Sequence, residues 1–143
     1  MKKLLVLILI VNTYSVFAQD SDISIKFKAN EEANVWIGKE WDFNYTPLNS
    51  PINVEFNGKK LKMYYDNGNI FMEIDVINYQ RKEKKNYDKL EKEAYILKIE
   101  DRGFIQYLII EKTYSYGSVY SQIKIPFVTD TGETMSYHYY QEF

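Results

Sequence analysis

Residues 52–76 read INVEFNGKKLKMYYDNGNIFMEIDV, with two Asn-Gly pairs set ten residues apart between alternating apolar and polar residues. Both central residues of a type I′ turn need positive φ, which glycine and asparagine tolerate best, so each pair predicts a two-residue hairpin turn. A turn at Asn67-Gly68 pairs Tyr65 with Ile70, Met63 with Met72 and Leu61 with Ile74, and sets Lys62 against Glu73 and Lys60 against Asp75. A turn at Asn57-Gly58 pairs Val54 with Leu61 and Ile52 with Met63, and sets Glu55 against Lys60. The two turns agree on one apolar face, and that agreement defines the register. Exposed charge pairs add only ~0.3 kcal/mol each, too little to decide it.

The same alternation recurs in ISIKFKA, where Ile23, Ile25, Phe27 and Ala29 share one face and Ser24, Lys26 and Lys28 the other. One face meets a core and the other meets water. Two further loops, Asp101-Arg102-Gly103 and Asp130-Thr131-Gly132, suit three-residue hairpins with glycine in the left-handed position. The second pairs Phe127 with Met135, Ile125 with Tyr137 and Ile123 with Tyr139, which leaves Lys124 opposite His138 on the polar face. The first pairs Ile99 with Ile105, Leu97 with Tyr107 and Tyr95 with Ile109. That register conflicts with the next turn, Tyr116-Gly117, which puts Ile110 beside Ile123 and Leu108 beside Ile125. A β-bulge within residues 104–114, or a strand covered on both faces, would each resolve it, and both stay open.

QRKEKKNYDKLEKEAY, residues 80–95, interleaves six basic with four acidic residues and offers only Tyr87 and Leu90 as apolar anchors. It reads as a solvated connection between an early and a late meander, with a short helix capped by Asn86 as the alternative. About ten short strands are expected, joined mainly by tight hairpins. The fold class is therefore all-β: an antiparallel meander, closed as a small barrel or packed as a two-sheet sandwich. Pro126 fits an edge or a bulge. The plan resembles that of small exported up-and-down barrels such as the lipocalins. Their G-x-W is not matched, because Gly38-Lys39-Glu40-Trp41 has one residue too many, so the resemblance is architectural and transfers no functional residue.

Lys2 and Lys3, the apolar run LLVLILIV and the V-F-A ending at Ala18 form a secretory signal peptide, expected to be cleaved after Ala18. The apolar run is far shorter than the roughly 20 residues that cross a bilayer. Residues 19–143 then make a single domain of 125 residues, secreted or periplasmic, with no membrane insertion after cleavage. Losing two lysines leaves 16 basic against 20 acidic residues, a net charge of −4 that argues against nucleic acid as a partner. The chain has no cysteine, so burial rather than disulfides must hold an exported fold together.

One histidine and no cysteine offer neither a Ser-His-Asp arrangement nor a zinc ligand set, so no catalytic residue, metal or cofactor is assigned. His138, beside Lys124 on an outward face, is expected to be structural or merely exposed. Glu73 and Asp75 share a strand face as glycosidase carboxylates would, yet the lysines opposite them account for their placement. In TYSYGSVYS, Tyr114, Tyr116 and Tyr120 surround a glycine turn with serines between, the composition of adaptable binding loops. Trp36 and Trp41 bracket Gly38-Lys39 in a second aromatic hairpin. The leading expectation is a non-catalytic exported protein that binds through these aromatic loops or through an internal apolar cavity. Its partner would be a small apolar ligand, a glycan or another exported protein. A carboxylate-based hydrolase of the envelope or the cell exterior is one alternative. A structural or inhibitory partner, using apolar surface around Ile96, Leu108 and Ile110, is the other.

Overall fold

A computed structural model describes residues 23–36, 44–87 and 89–141. The expected signal peptide, Trp41 and the Gly38-Lys39 pair lie outside these residues. Eight strands follow one another: β1 Ile25–Trp36, β2 Thr46–Phe56, β3 Lys60–Tyr65, β4 Ile70–Asn86, β5 Lys89–Asp101, β6 Phe104–Ser115, β7 Ser118–Val128 and β8 Thr134–Tyr140. Each pairs antiparallel with the next, and β8 pairs back onto β1, giving one ring-like sheet. No helix occurs among the described residues.

The strands are fewer and longer than the expected ten, chiefly because residues 80–95 are not a connection. They are the far half of a hairpin in which Arg81 pairs with Tyr95, Lys82 with Ala94 and Glu83 with Glu93, turning at Tyr87 with φ 48°. Alternation was hidden there because a charged pair occupies inward positions. Arg81 Nε lies 2.6 Å from Glu93 Oε1, so a position that would ordinarily be apolar carries a satisfied ion.

Turn chemistry set each register. At β2–β3 the loop has four residues rather than two: Phe56 pairs with Leu61, Val54 with Met63 and Ile52 with Tyr65. The Asn57 side-chain carbonyl accepts from Lys59 N at 3.1 Å and Lys60 N at 2.8 Å, an Asx arrangement that favours the longer loop. The slip is two residues, so no side chain changes face. β3–β4 follows the expected ladder from Lys60-Asp75 to Met63-Met72, then bulges so that Tyr64 meets Ile70. β7–β8 matches expectation throughout, including Lys124 opposite His138.

The two D-x-G loops differ. Asp130-Thr131-Gly132 is the expected three-residue loop, closed by Thr129 N donating to Glu133 O at 2.8 Å. In Asp101-Arg102-Gly103 both Arg102, φ 50°, and Gly103, φ 84°, are left-handed, so the loop has only two residues. β-branched Thr131 resists positive φ, whereas unbranched Arg102 accepts it. The resulting one-residue slip pairs Leu97 with Leu108 and Tyr95 with Ile110. Leu108 and Ile110 therefore turn inward, 1% and 0% exposed, and the conflict around residues 104–114 disappears without a bulge or double cover. The apolar surface expected around Ile96, Leu108 and Ile110 accordingly does not form.

The core fills the ring from Ile25, Phe27 and Ala29 of β1 round to Ile123 and Tyr139 of β7 and β8. An irregularity between Ala29 and Glu31 reverses the faces of β1. Beyond it Glu32 lies opposite inward Tyr139, while Ala33 lies opposite His138 on the outer face. Pro126 pairs with Ser136, beyond Lys124, where the β6–β7 ladder stops, so no strand partner requires the N–H it lacks.

Candidate functional site: the mouth of the ring

Two of the sheet's irregularities, the shift in β1 and the bulge in β4, meet at one end of the ring. The shift in β1 turns Glu32 inward beside Tyr139. The bulge in β4 makes Phe71 the extra residue between the pairs Met63-Met72 and Tyr64-Ile70, and bulges re-aim side chains in this way. The Phe71 ring meets Tyr65 edge to face at 6.0 Å and Tyr139 at 5.5 Å. These rings, with Leu48 and Ile52, wall an open cavity of about 670 Å³. Its rim is polar: Asn49, Ser50, Asp66, Asn67 and Asn69.

The floor belongs to the core, since Leu48 and Tyr65 pack against it and Tyr139 is part of it. Phe71 nevertheless remains 40% exposed. Asp66 is tied back by Lys28 at 2.7 Å and Asn53 at 2.9 Å, which hold its carboxyl below the usual range. Burial pushes the Tyr139 hydroxyl up to about 12, and the Glu32 charge adds to the effect. The cavity thus combines an aromatic wall, two carboxylates and a rim of amides and hydroxyls, a mixture of apolar wall and few polar groups that suits small molecules.

At the other end Glu93, 4% exposed, accepts hydrogen bonds from Arg81, Tyr95 and Tyr114. Burial alone would raise its pKa, but the three donors outweigh burial and hold it below the ordinary value. A carboxylate so fixed in its ionised form closes the end of the core and has no proton to donate.

The aromatic residues singled out in the sequence are dispersed. Tyr114 points into the ring and donates to Glu93 at 2.9 Å. Tyr116 sits fully exposed at the turn with φ 49°. Tyr120 lies on the outer face, its ring parallel to Tyr140 at 6.4 Å. Trp36 pairs with Met135, beside the β7–β8 turn and so at the opposite end of β7 from Tyr116.

His138 is buried rather than exposed, at 5%. The reversal in β1 places Ala33 against it, and a small outer hollow of about 210 Å³ lies alongside, walled by Val35, Tyr107 and Pro126. Its neighbour Lys124 is engaged by Glu111 at 3.2 Å, which also takes Lys92 at 3.2 Å and Gln122 at 2.7 Å. Burial alone would raise the Glu111 carboxyl, but the two lysines outweigh it and hold it low. Among the described residues no three His, Cys, Asp or Glu side chains converge as metal ligands. Glu73 and Asp75 both lean on Lys60, at 2.9 and 3.6 Å.

Sequence reasoning missed Glu32, Tyr65, Phe71 and Tyr139 as a group, because two breaks in alternation bring them together and alternation was the signal being read. The chain matches no protein-family model, no curated protein and no solved structure.

Proposed function

We propose that this is an exported, non-catalytic binding protein, closed as a small barrel, that holds a small ligand with an apolar body in the mouth cavity. The observation that carries the reading is Phe71: a bulge spends a strand position on turning a large apolar ring toward an open cavity of about 670 Å³ instead of into the core. The N-terminal signal pattern supports export, and the absence of cysteine is compatible with a core held by burial alone.

The test is titration of an environment-sensitive apolar fluorophore into wild-type protein and Phe71→Ser. Saturable binding that weakens about tenfold or more in the variant is expected, the scale of losing one buried aromatic contact. Equal binding by both proteins would rule out the cavity as the binding site. Full exposure of Tyr116 beside a groove of about 600 Å³ at the other end favours a second reading, in which that turn contacts a glycan or protein. Tyr116→Ser should then abolish capture of that partner without affecting the fluorophore.

A further inference from the structure

We infer that the mouth cavity selects a ligand with a cationic head, an alkylammonium or quaternary ammonium group on an apolar body, held between the Glu32 carboxylate and the rings of Tyr65, Phe71 and Tyr139. This rests on the cavity being the ligand site.

The charged side chains that line the cavity among the described residues are both acidic. Among the described residues its walls include Glu32 and Asp66 and no lysine, arginine or histidine. Asp66 is already neutralised by Lys28 at 2.7 Å. Glu32 is not: its backbone carbonyl takes the Thr46 hydroxyl, but no cation or donor meets its carboxylate among the described residues. Among the described residues, an anionic head entering here would meet the Glu32 carboxylate, and the nearest cation, Lys28, is already held by Asp66.

The aromatic geometry points the same way. Tyr65 and Phe71 stand at 82° to one another, and Phe71 and Tyr139 at 74°. Rings set edge to face in succession present faces in different directions, which is how aromatic walls surround a cation, and the negative quadrupole of each face attracts it. Glu32 and Tyr139 are directly opposed across β1 and β8, so carboxylate and ring reach the same point of the cavity. Leu48 and Ile52 complete the apolar wall for the body of the ligand. The volume, about 670 Å³, accepts a molecule of drug size.

The experiment uses the full-length chain expressed in an exporting host and three probes of equal chain length: decyltrimethylammonium, decanol and decanoate, each titrated calorimetrically at neutral pH below its micellar concentration. The ammonium should bind roughly tenfold or more tightly than the carboxylate, the scale of a cation–π contact plus an exposed ion pair, and added salt should narrow the gap. Glu32→Gln, a change at an exposed position, should erase the difference between the ammonium and the carboxylate. Equal binding of all three, or a preference for decanoate, would overturn the inference and leave the cavity standing. If no probe binds, or if Phe71→Ser binds decanol as well as wild type, the cavity reading fails and the inference fails with it.

Discussion

Replacing Glu93 with glutamine tests whether the buried ion network holds the far end of the ring. Three donors converge on this carboxylate: Arg81 at 2.6 Å, Tyr114 at 2.9 Å and the Tyr95 hydroxyl. The amide keeps the shape and one acceptor but loses the charge and turns a second acceptor into a donor. Tyr95 is 6% exposed, so a hydroxyl left without its acceptor costs about 1–3 kcal/mol. The Arg81 side chain is 51% exposed and can turn to water, so its contribution is small, below about 1 kcal/mol. The net loss is about 2–3 kcal/mol, a fall in Tm of roughly 8–15 °C for a domain of this size. The pH dependence carries a sign. The folded pKa of Glu93 lies below the ordinary value of 4.5, so its stabilisation is present above about pH 4.5 and is lost as pH falls through the lower folded value. Urea unfolding across the acid range should show a wild-type advantage that is constant near neutrality and shrinks below about pH 4.5. A difference under about 0.5 kcal/mol at neutral pH, with no narrowing in acid, would refute the network's role.

Three smaller predictions probe the fold. Gly103→Ala should cost about 1 kcal/mol through backbone strain alone, because φ is +84° and nothing lies within 4 Å of an added Cβ; thermal unfolding reads it. Leu108→Ala should destabilise by about 2–5 kcal/mol and Ile105→Ala by well under 1, since Leu108 is 1% exposed and Ile105 48%. The reverse order would restore the three-residue Asp101 loop. His138→Ala should lower Tm by several degrees, on the scale of about 1–2 kcal/mol for a buried polar side chain. It should leave ligand binding unchanged, and loss of binding with the fold intact would make His138 part of a site.

The all-β meander and most of its registers were legible because glycine turns and alternation are local signals. Asp130-Thr131-Gly132 and Tyr116-Gly117 placed their strands on the correct faces, and Asn67-Gly68 did so from Lys60-Asp75 to Met63-Met72. Nearer that turn the expected Tyr65-Ile70 pair is lost, because Tyr65 N donates to Asn69 O across a three-residue loop and Ile70 meets Tyr64. The Asp101 loop misled because its length depended on whether Arg102 would take positive φ, a small local preference that one-residue registers amplify into a change of face. Residues 80–95 misled for the opposite reason. Glu93 and Arg81 stand where alternation calls for apolar side chains, and their mutual bond is a tertiary fact. The cavity was least legible of all, since Glu32 and Phe71 reach it through irregularities that interrupt the pattern.

Native mass spectrometry of the protein, taken gently from an exporting host and then mixed with decyltrimethylammonium, reads the occupancy of the mouth cavity. One small molecule per chain is expected, either carried through purification or taken up on mixing, and it should be lost in Phe71→Ser. A chain that stays bare under both conditions, or a variant that retains the adduct, would contradict the mouth cavity as a binding site.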